Sequence, residues 1–475
     1  MVFSSNLFLF YFLPFVLSGY HLTSKRFQNL FLFFASSLFY IWGGGSQIIL
    51  LYLYILVNFV IGKELQNDLT KAKSRKALLI AGIGANLSLL IYFKYLSFII
   101  DTLKWIFPYL ELRLGSLNGV ALPVGISFFT FQAISYLVEI YRKEEIAQKN
   151  IIDFGVFLAC FPHLVAGPVV RYSDISHELK NRRVSIDLAF DGFLRFSIGL
   201  AKKVLIANHL GAVANQVFTL PSLELTTPIA WLGILSYTFQ IYFDFSGYSD
   251  MAIGLAKMFG FNFPENFQLP YSAKTITEFW RRWHITLSLW FRDFLYIPLG
   301  GNRKGEFQTY LNLFAVFFLC GLWHGANWTF AIWGFYHGIL LVLERWLRGR
   351  WNFELSGTVG NIITFLLVAI GWVFFRAETW KEALHFLHVL FFGAVSGLKS
   401  YEFFPFAFYL RPETIFYLIV AFVFSVIDWK QAFKVFNEES NFIWKLKGVM
   451  GLSLFLLSAV YLSTSGFNPF IYFRF

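Results

Sequence analysis

Charge is scarce in this 475-residue chain: Asp, Glu, Lys and Arg make up 14% of it, against 57% hydrophobic and 21% aromatic residues. A soluble multidomain protein is excluded, because so little polar surface could not keep a chain of this length dispersed in water. Cysteine is nearly missing. Cys160 and Cys320 lie in separate apolar runs with no C-x-x-C partner, so neither a disulfide scaffold nor a cysteine zinc site is readable, and both thiols are expected to be small core residues. There is no H-E-x-x-H, no adjacent His-His pair and no Cys/His cluster at ligand spacing, so no metal is expected. Internal repeats, low-complexity tracts and soluble linkers are also lacking. The opening MVFSSNLFLFYFLPFVLSGY has neither a basic n-region nor a small-residue cleavage site, and is expected to be a retained first span.

What is present is a succession of apolar segments joined by short basic connections. The net charge of +11 therefore reads as positive-inside bias rather than as a nucleic-acid surface. A crossing needs about 20 helical residues, and candidate spans begin near residues 2, 27, 46, 77 and 119. Others fit 190–219, 228–247, 309–323, 328–346, 357–375, 413–427 and 448–465. The expectation is an all-α polytopic protein with about 11–12 spans, forming a single integral-membrane domain over 1–475: N-terminal spans at 1–141, a core at 142–347 and C-terminal spans at 348–475. Loop charge puts Lys73, Arg182 and Lys304 in the cytoplasm, and Ser46 and Thr226 outside.

One segment breaks the alternation. The run from Ile151 to Val170 lies between two basic connections, which cannot face opposite sides, and FPHLVAGPVVR carries Pro162, Gly167 and Pro168. A re-entrant segment lining a protein-enclosed cavity satisfies both observations.

The chemistry-bearing residues concentrate in FWRRWHITLSLWFRDFLYIPLGGNRKG. As one helix, residues 279–295 would carry Arg281, His284, Ser288 and Arg292 on one stripe and Trp283, Leu287, Trp290 and Phe294 on the other. Thr275 and Glu278 match a capping box, and the charge keeps the segment in the interface. Two readings stand: an anchor whose arginines meet lipid phosphates, or a mouth where Arg281, Arg282 and Arg292 bind the phosphates of a cytosolic donor beside a histidine able to move a proton.

A second histidine, His324, falls in GLWHGANW between two apolar helices read as about 15 residues, roughly 22 Å, each. That places it near the turn of a helix pair, recessed in the membrane, where an ionisable side chain is costly and points to function. His163, in the re-entrant run, and His337 are weaker candidates. Asp244 and Asp250, in IYFDFSGYSDMAIGLAKMFGF, and Asn327, three residues after His324, are candidates for orienting a histidine or binding a hydroxyl acceptor.

Through FFTFQAISYLVEIYR, FPHLVAGPVVRY, YFDFSGYSDMAIGLAKMFGF, FWRRWHITLSLWFRDFLYIPLGGNRKG, GLWHGANWTFAIWG, WVFFRAETW and FNPFIYFRF, the chain resembles the membrane-bound O-acyltransferases, in particular their bacterial alginate O-acetyltransferase branch. The resemblance implies helices around a central tunnel, with His324 as the catalytic histidine and general base and His284 as the second motif histidine. It further implies a multi-pass protein of the bacterial cytoplasmic membrane, with acetyl-CoA or another acyl thioester as co-substrate and no tightly bound cofactor. The expected partners are the cytosolic donor, the lipid bilayer, and a polysaccharide or a periplasmic acyl-relay protein on the far side. D-alanyl or other acyl transfer to a cell-wall polymer is the related alternative, and a polytopic transporter the alternative of another class.

Overall fold

The computed structural model describes residues 2–67, 71–110, 121–222, 224–393, 405–428, 441–464, 466–469 and 471. Helices dominate, and no strand occurs among the described residues. The chain divides into two compact units, Met1–Phe193 with Ala252–Pro264, and Leu194–Met251 with Glu265–Phe475.

Among the described residues, four helical stretches are long and apolar enough to cross a membrane: Lys25–Gln66, Ala72–Ile106, Gly357–Arg376 and Phe442–Thr464. Phe8–Leu22 and Pro412–Val426 are shorter apolar helices. The first stretch holds two expected spans, because Gly45 at φ 53° ends Gln28–Gly44 before Ile48–Gln66 begins. The other expected spans match helices with more polar content, among them Ile126–Arg142, Glu306–His324 and Trp328–Trp351. The expected start near residue 119 lies outside the described residues.

In the first unit, large apolar side chains face outward, Phe10, Tyr11, Phe15, Trp42 and Ile49 among them, while Asn58, Asn86, Gln132 and Glu139 are buried. That inversion suits a lipid-facing surface, where an interior polar group must find a partner within the protein. Asn58 and Asn86 exchange amide hydrogen bonds of 3.1 and 2.8 Å between neighbouring helices. The expected break near Pro162 is present. Ile151–Ala159 is a nine-residue helix, about 13 Å long at 1.5 Å per residue, too short to cross. Cys160 leaves the helical conformation, and Phe161–Leu164 adds only a single turn.

In the second unit, Glu306–His324 and Trp328–Trp351 pack backbone to backbone. A Cβ at Gly321 would collide with the Phe330 carbonyl, and one at Gly334 with the Phe317 carbonyl, the close approach that small residues permit between membrane helices. These helices correct the sequence reading. They run 19 and 24 residues, so the first rises about 28 Å, and helix shortness does not explain the depth of His324. The additional turns lie toward residues 306 and 351, where charged side chains had been assigned to loops.

Candidate active site

The segment expected to be one amphipathic helix is two. Ile276–Arg282 ends at Trp283, His284 takes a left-handed conformation at φ 44° and ψ 54°, and Ile285–Phe291 begins a new helix. A non-glycine residue held there is strained, and such strain persists only where the surroundings over-determine it. Here the surroundings are the chain at 266–268. The Asn266 carbonyl accepts from the Ile285 N–H (3.0 Å), and the Arg282 carbonyl accepts from the Gln268 N–H (2.9 Å). The backbone groups released by the break are thus satisfied from outside the helix.

The break also overturns the expected stripe. His284 turns inward to 1% exposure, whereas Arg281 and Arg292 remain exposed. Its ring lies edge-on to Phe245 at 4.7 Å, 6.0 Å from Trp323 and 6.4 Å from His324, centroid to centroid. Burial pushes its pKa down to about 3, so the imidazole is neutral at physiological pH. Asn266, which sequence reasoning did not single out, meets His284 Nδ1 through Oδ1 at 3.0 Å. A lone asparagine 18 positions upstream carries no sequence signal for this contact.

His324 is the last residue of Glu306–His324 and is 2% exposed. Trp323, Trp333 and Phe375 surround it at centroid distances of 5.0, 5.2 and 5.2 Å. The two histidines, 40 positions apart in the chain, thereby share one apolar enclosure lined with aromatic rings.

The other candidates are engaged elsewhere. Asn327 caps the next helix, accepting from the Thr329 N–H at 3.1 Å and donating to the Glu378 carbonyl at 3.0 Å. Asp250 joins Arg195 (2.6 Å) and Lys202 (2.7 Å), and Arg195 also pairs with Glu265. Asp244 pairs with buried Lys203 at 2.7 Å and accepts from the Ile471 N–H at 3.0 Å. Lys203 reaches the Pro469 carbonyl as well, and Asn208 meets Asn468, so Asp244, Lys203 and Asn208 together hold Asn468, Pro469 and Ile471. His163 belongs to the other unit, with Nε2 against the Phe157 carbonyl at 2.8 Å. His337 is fully buried, near Trp280 and Trp333.

The three arginines separate as well. Arg282 is held by Glu278 at 2.5 Å and Ser272 at 2.7 Å, and Arg292 by Asp293 at 2.6 Å. Glu278 spends its second oxygen on the Lys274 N–H, so only the Thr275 half of the expected capping box forms; Glu344 accepts from the Ile276 and Thr277 N–H groups instead. Among the described residues no carboxylate pairs with Arg281. It opens onto a cavity of about 590 Å³ lined also by Lys274, Arg348 and Ser356 and by the carboxylates Glu278 and Glu354.

Residues 128–377, which include both histidines and all three arginines, match the model of the membrane-bound O-acyltransferase family. The chain is 44% identical to the probable alginate O-acetylase AlgI of Pseudomonas putida, with 100% of each chain covered. It is 40% identical to the protein of that name from Azotobacter vinelandii, again over 100% of each. It is 37% identical to the peptidoglycan O-acetyltransferase of Helicobacter pylori, covering 82% of this chain and 79% of the other. The chain is thus an integral membrane enzyme that transfers acyl groups to hydroxyls, and it belongs to the membrane-bound O-acyltransferase family, on the alginate O-acetyltransferase side of it.

Proposed function

We propose that the protein takes an acetyl group from a cytosolic thioester, acetyl-CoA or a close analogue, and delivers it to a hydroxyl destined for an exported or cell-surface polysaccharide such as alginate, from a multi-pass position in the bacterial cytoplasmic membrane. The observation that carries this reading is the pair of buried histidines 6.4 Å apart, centroid to centroid. Full-length similarity to proteins named for alginate O-acetylation supports the polymer class.

The acceptor hydroxyl binds beside this pair, within hydrogen-bond reach of an imidazole nitrogen, about 2.8 Å. One imidazole takes the hydroxyl proton while the oxygen attacks the thioester carbonyl, the carbon–sulfur bond breaks, and the thiolate leaves toward the cytosol. The apolar enclosure keeps competing water away from the thioester. Donor phosphates dock at Arg281, because the carboxylates that neutralise Arg282 and Arg292 leave those two less able to bind an anion. The acceptor arrives from the opposite side, either as the polymer or on a periplasmic acyl-relay protein.

The test is a reconstitution in vesicles with labelled acetyl-CoA on the cytosolic face and an alginate oligosaccharide on the other. Thiol release coupled to ester formation on the sugar is the expected result. Thiol release with no ester on any uronic-acid oligomer would move the acceptor to another polymer, and no thiol release at all would overturn the donor assignment.

A further inference from the structure

We infer that Arg195 is a positioning residue for acyl transfer, acting on His284 from another helix through the chain at Glu265 and Asn266. The inference rests on the reading of the buried histidine pair as part of the transfer site, and it assigns no proton transfer to His284.

Four charged side chains meet where three stretches of the second unit converge. Arg195 lies on Ile186–Ala201, Lys202 directly follows that helix, Asp250 lies on Thr227–Met258, and Glu265 belongs to the segment that leads to the kinked pair of helices. The two long helices are in backbone contact, since a Cβ at Gly199 would collide with the Gly247 carbonyl and one at Gly247 with the Gly199 carbonyl. Arg195 stands four residues before Gly199 and Asp250 three after Gly247, about one helical turn from the contact in each case, so both side chains emerge at the seam. The guanidinium uses its whole fork there. Nη1 and Nη2 donate to the two oxygens of Glu265 at 2.9 and 2.6 Å, and Nε donates to Asp250 Oδ1 at 2.6 Å. Lys202 donates to the other Asp250 oxygen at 2.7 Å, so two cations face two carboxylates and their charges balance.

This cluster holds the neighbour of each partner in a buried hydrogen bond. Glu265 directly precedes Asn266, and Asp250 directly follows Ser249; Asn266 Nδ2 donates to Ser249 Oγ at 3.1 Å. Arg195 therefore ties the 265–266 segment to the 249–250 turn at its partly exposed edge, where the Glu265 side chain is 40% exposed, while Asn266 ties the same two stretches from a fully buried position. From there Asn266 reaches the kink. Its Oδ1 lies 3.0 Å from His284 Nδ1 and accepts from the Thr286 N–H at 3.3 Å, and its backbone carbonyl accepts from the Ile285 N–H at 3.0 Å. The left-handed His284 lies between two helices rather than within one, so its place depends on this segment. The segment is fixed in turn by charge-assisted bonds, about twice as strong as neutral ones. His324 has a separate support, at the end of Glu306–His324 among Trp323, Trp333 and Phe375. A side chain that only stabilised the unit as a whole would affect both histidines alike.

Residue-resolved hydrogen exchange and steady-state kinetics of the full-length protein in vesicles, with acetyl-CoA as donor, test this. In Arg195→Gln the amides of Ile285 and Thr286 are expected to exchange at least about tenfold faster than in the parent, while those of 320–324 keep their rates. At matched amounts of inserted protein, kcat is expected to fall about 10–10²-fold, the scale of a small misplacement near the reacting atoms, with the donor KM within about twofold of the parent. Unchanged exchange at Ile285 and Thr286, equal acceleration at 320–324, or an unchanged kcat overturns the inference. If Arg195→Gln does not insert, Glu265→Gln, at the partly exposed side of the same ion pair, decides by the same outcomes. His284→Ala separates the underlying reading: full activity there would remove the histidine pair from the transfer site, while the exchange comparison would still decide whether Arg195 holds the kink.

Discussion

His284 and His324 reach the same enclosure by opposite means. His324 sits at the end of a regular helix, and its depth follows from ordinary packing: a glycine contact with the next helix and a collar of Trp323, Trp333 and Phe375. His284 interrupts what would otherwise be a continuous amphipathic helix, and is held in a left-handed conformation by groups 16 to 18 residues upstream. The first position is prepared by secondary structure and the second by tertiary contacts at the expense of local backbone strain. The lesson is that a ring delivered by a helix end tolerates local backbone changes that a ring delivered by a strained residue does not.

The largest effect expected is loss of chemistry. His324→Ala and His284→Ala should each lower acyl transfer by at least about 10²–10⁴-fold while the protein still inserts, measured as thiol release from acetyl-CoA at matched protein. If only one of them abolishes transfer, the symmetry of the pair is broken in favour of that histidine.

Next comes donor affinity, which contrasts the exposed arginine with its buttressed neighbour. Arg281→Gln should raise the donor KM by the equivalent of about 1.5–3 kcal/mol, the range for a hydrogen bond to a charged group. Arg282→Gln should chiefly lower the yield of folded protein, since its partners are Glu278 and Ser272. The reverse pattern would restore the anchor interpretation for the whole segment.

A smaller effect separates backbone from side chain at the kink. His284→Asn and His284→Val both remove the imidazole, but Asn tolerates the left-handed region and a β-branched residue does not. The Val variant should be less stable than the Asn variant by about 1–2 kcal/mol, read as a lower thermal midpoint in detergent. The same pair of substitutions at His324, which lies in a regular helix, should show no such gap, and a gap of equal size there would remove the contrast.

The smallest effect concerns pH. His284 is held neutral by burial, with its pKa near 3, whereas in the unfolded chain it titrates near 6.5. The folded state thus binds fewer protons, so this group's contribution is complete above about pH 6.5 and is lost as pH falls from there toward 3. At pH 5.5 the loss is about 1 kcal/mol. The His284→Asn variant should lack that increment, seen as a shallower fall in thermal midpoint between pH 7.5 and 5.5 than in the parent.

The helical membrane class was legible from the amino-acid sequence, because long apolar runs with basic connections admit few other structures. The break near Pro162 was legible because proline and glycine act locally, and it appears at Cys160. The two histidine motifs, spaced 40 residues apart, stood out as candidates because charged and ionisable side chains are so rare in this chain, and the structure brings the two rings together. What the helical period misassigned is equally specific. It put His284 on the arginine stripe, since a period presumes an unbroken helix, and the groups that break it come from 266–268. It left Asp244, Asp250 and Asn327 open for binding or orienting, since their partners Lys203, Arg195 and the Glu378 carbonyl lie 41 or more residues away. It weighted Arg281, Arg282 and Arg292 alike, although a carboxylate one or four positions away neutralises two of them. By itself the sequence determined that the chain is a helical membrane protein and singled out His284 and His324 as candidates for its chemistry, because hydropathy and residue chemistry are properties of the chain. Only the tertiary structure decided which way each ring faces and that Asn266 meets Nδ1 of His284, because both depend on contacts with residues that sequence distance does not mark as neighbours.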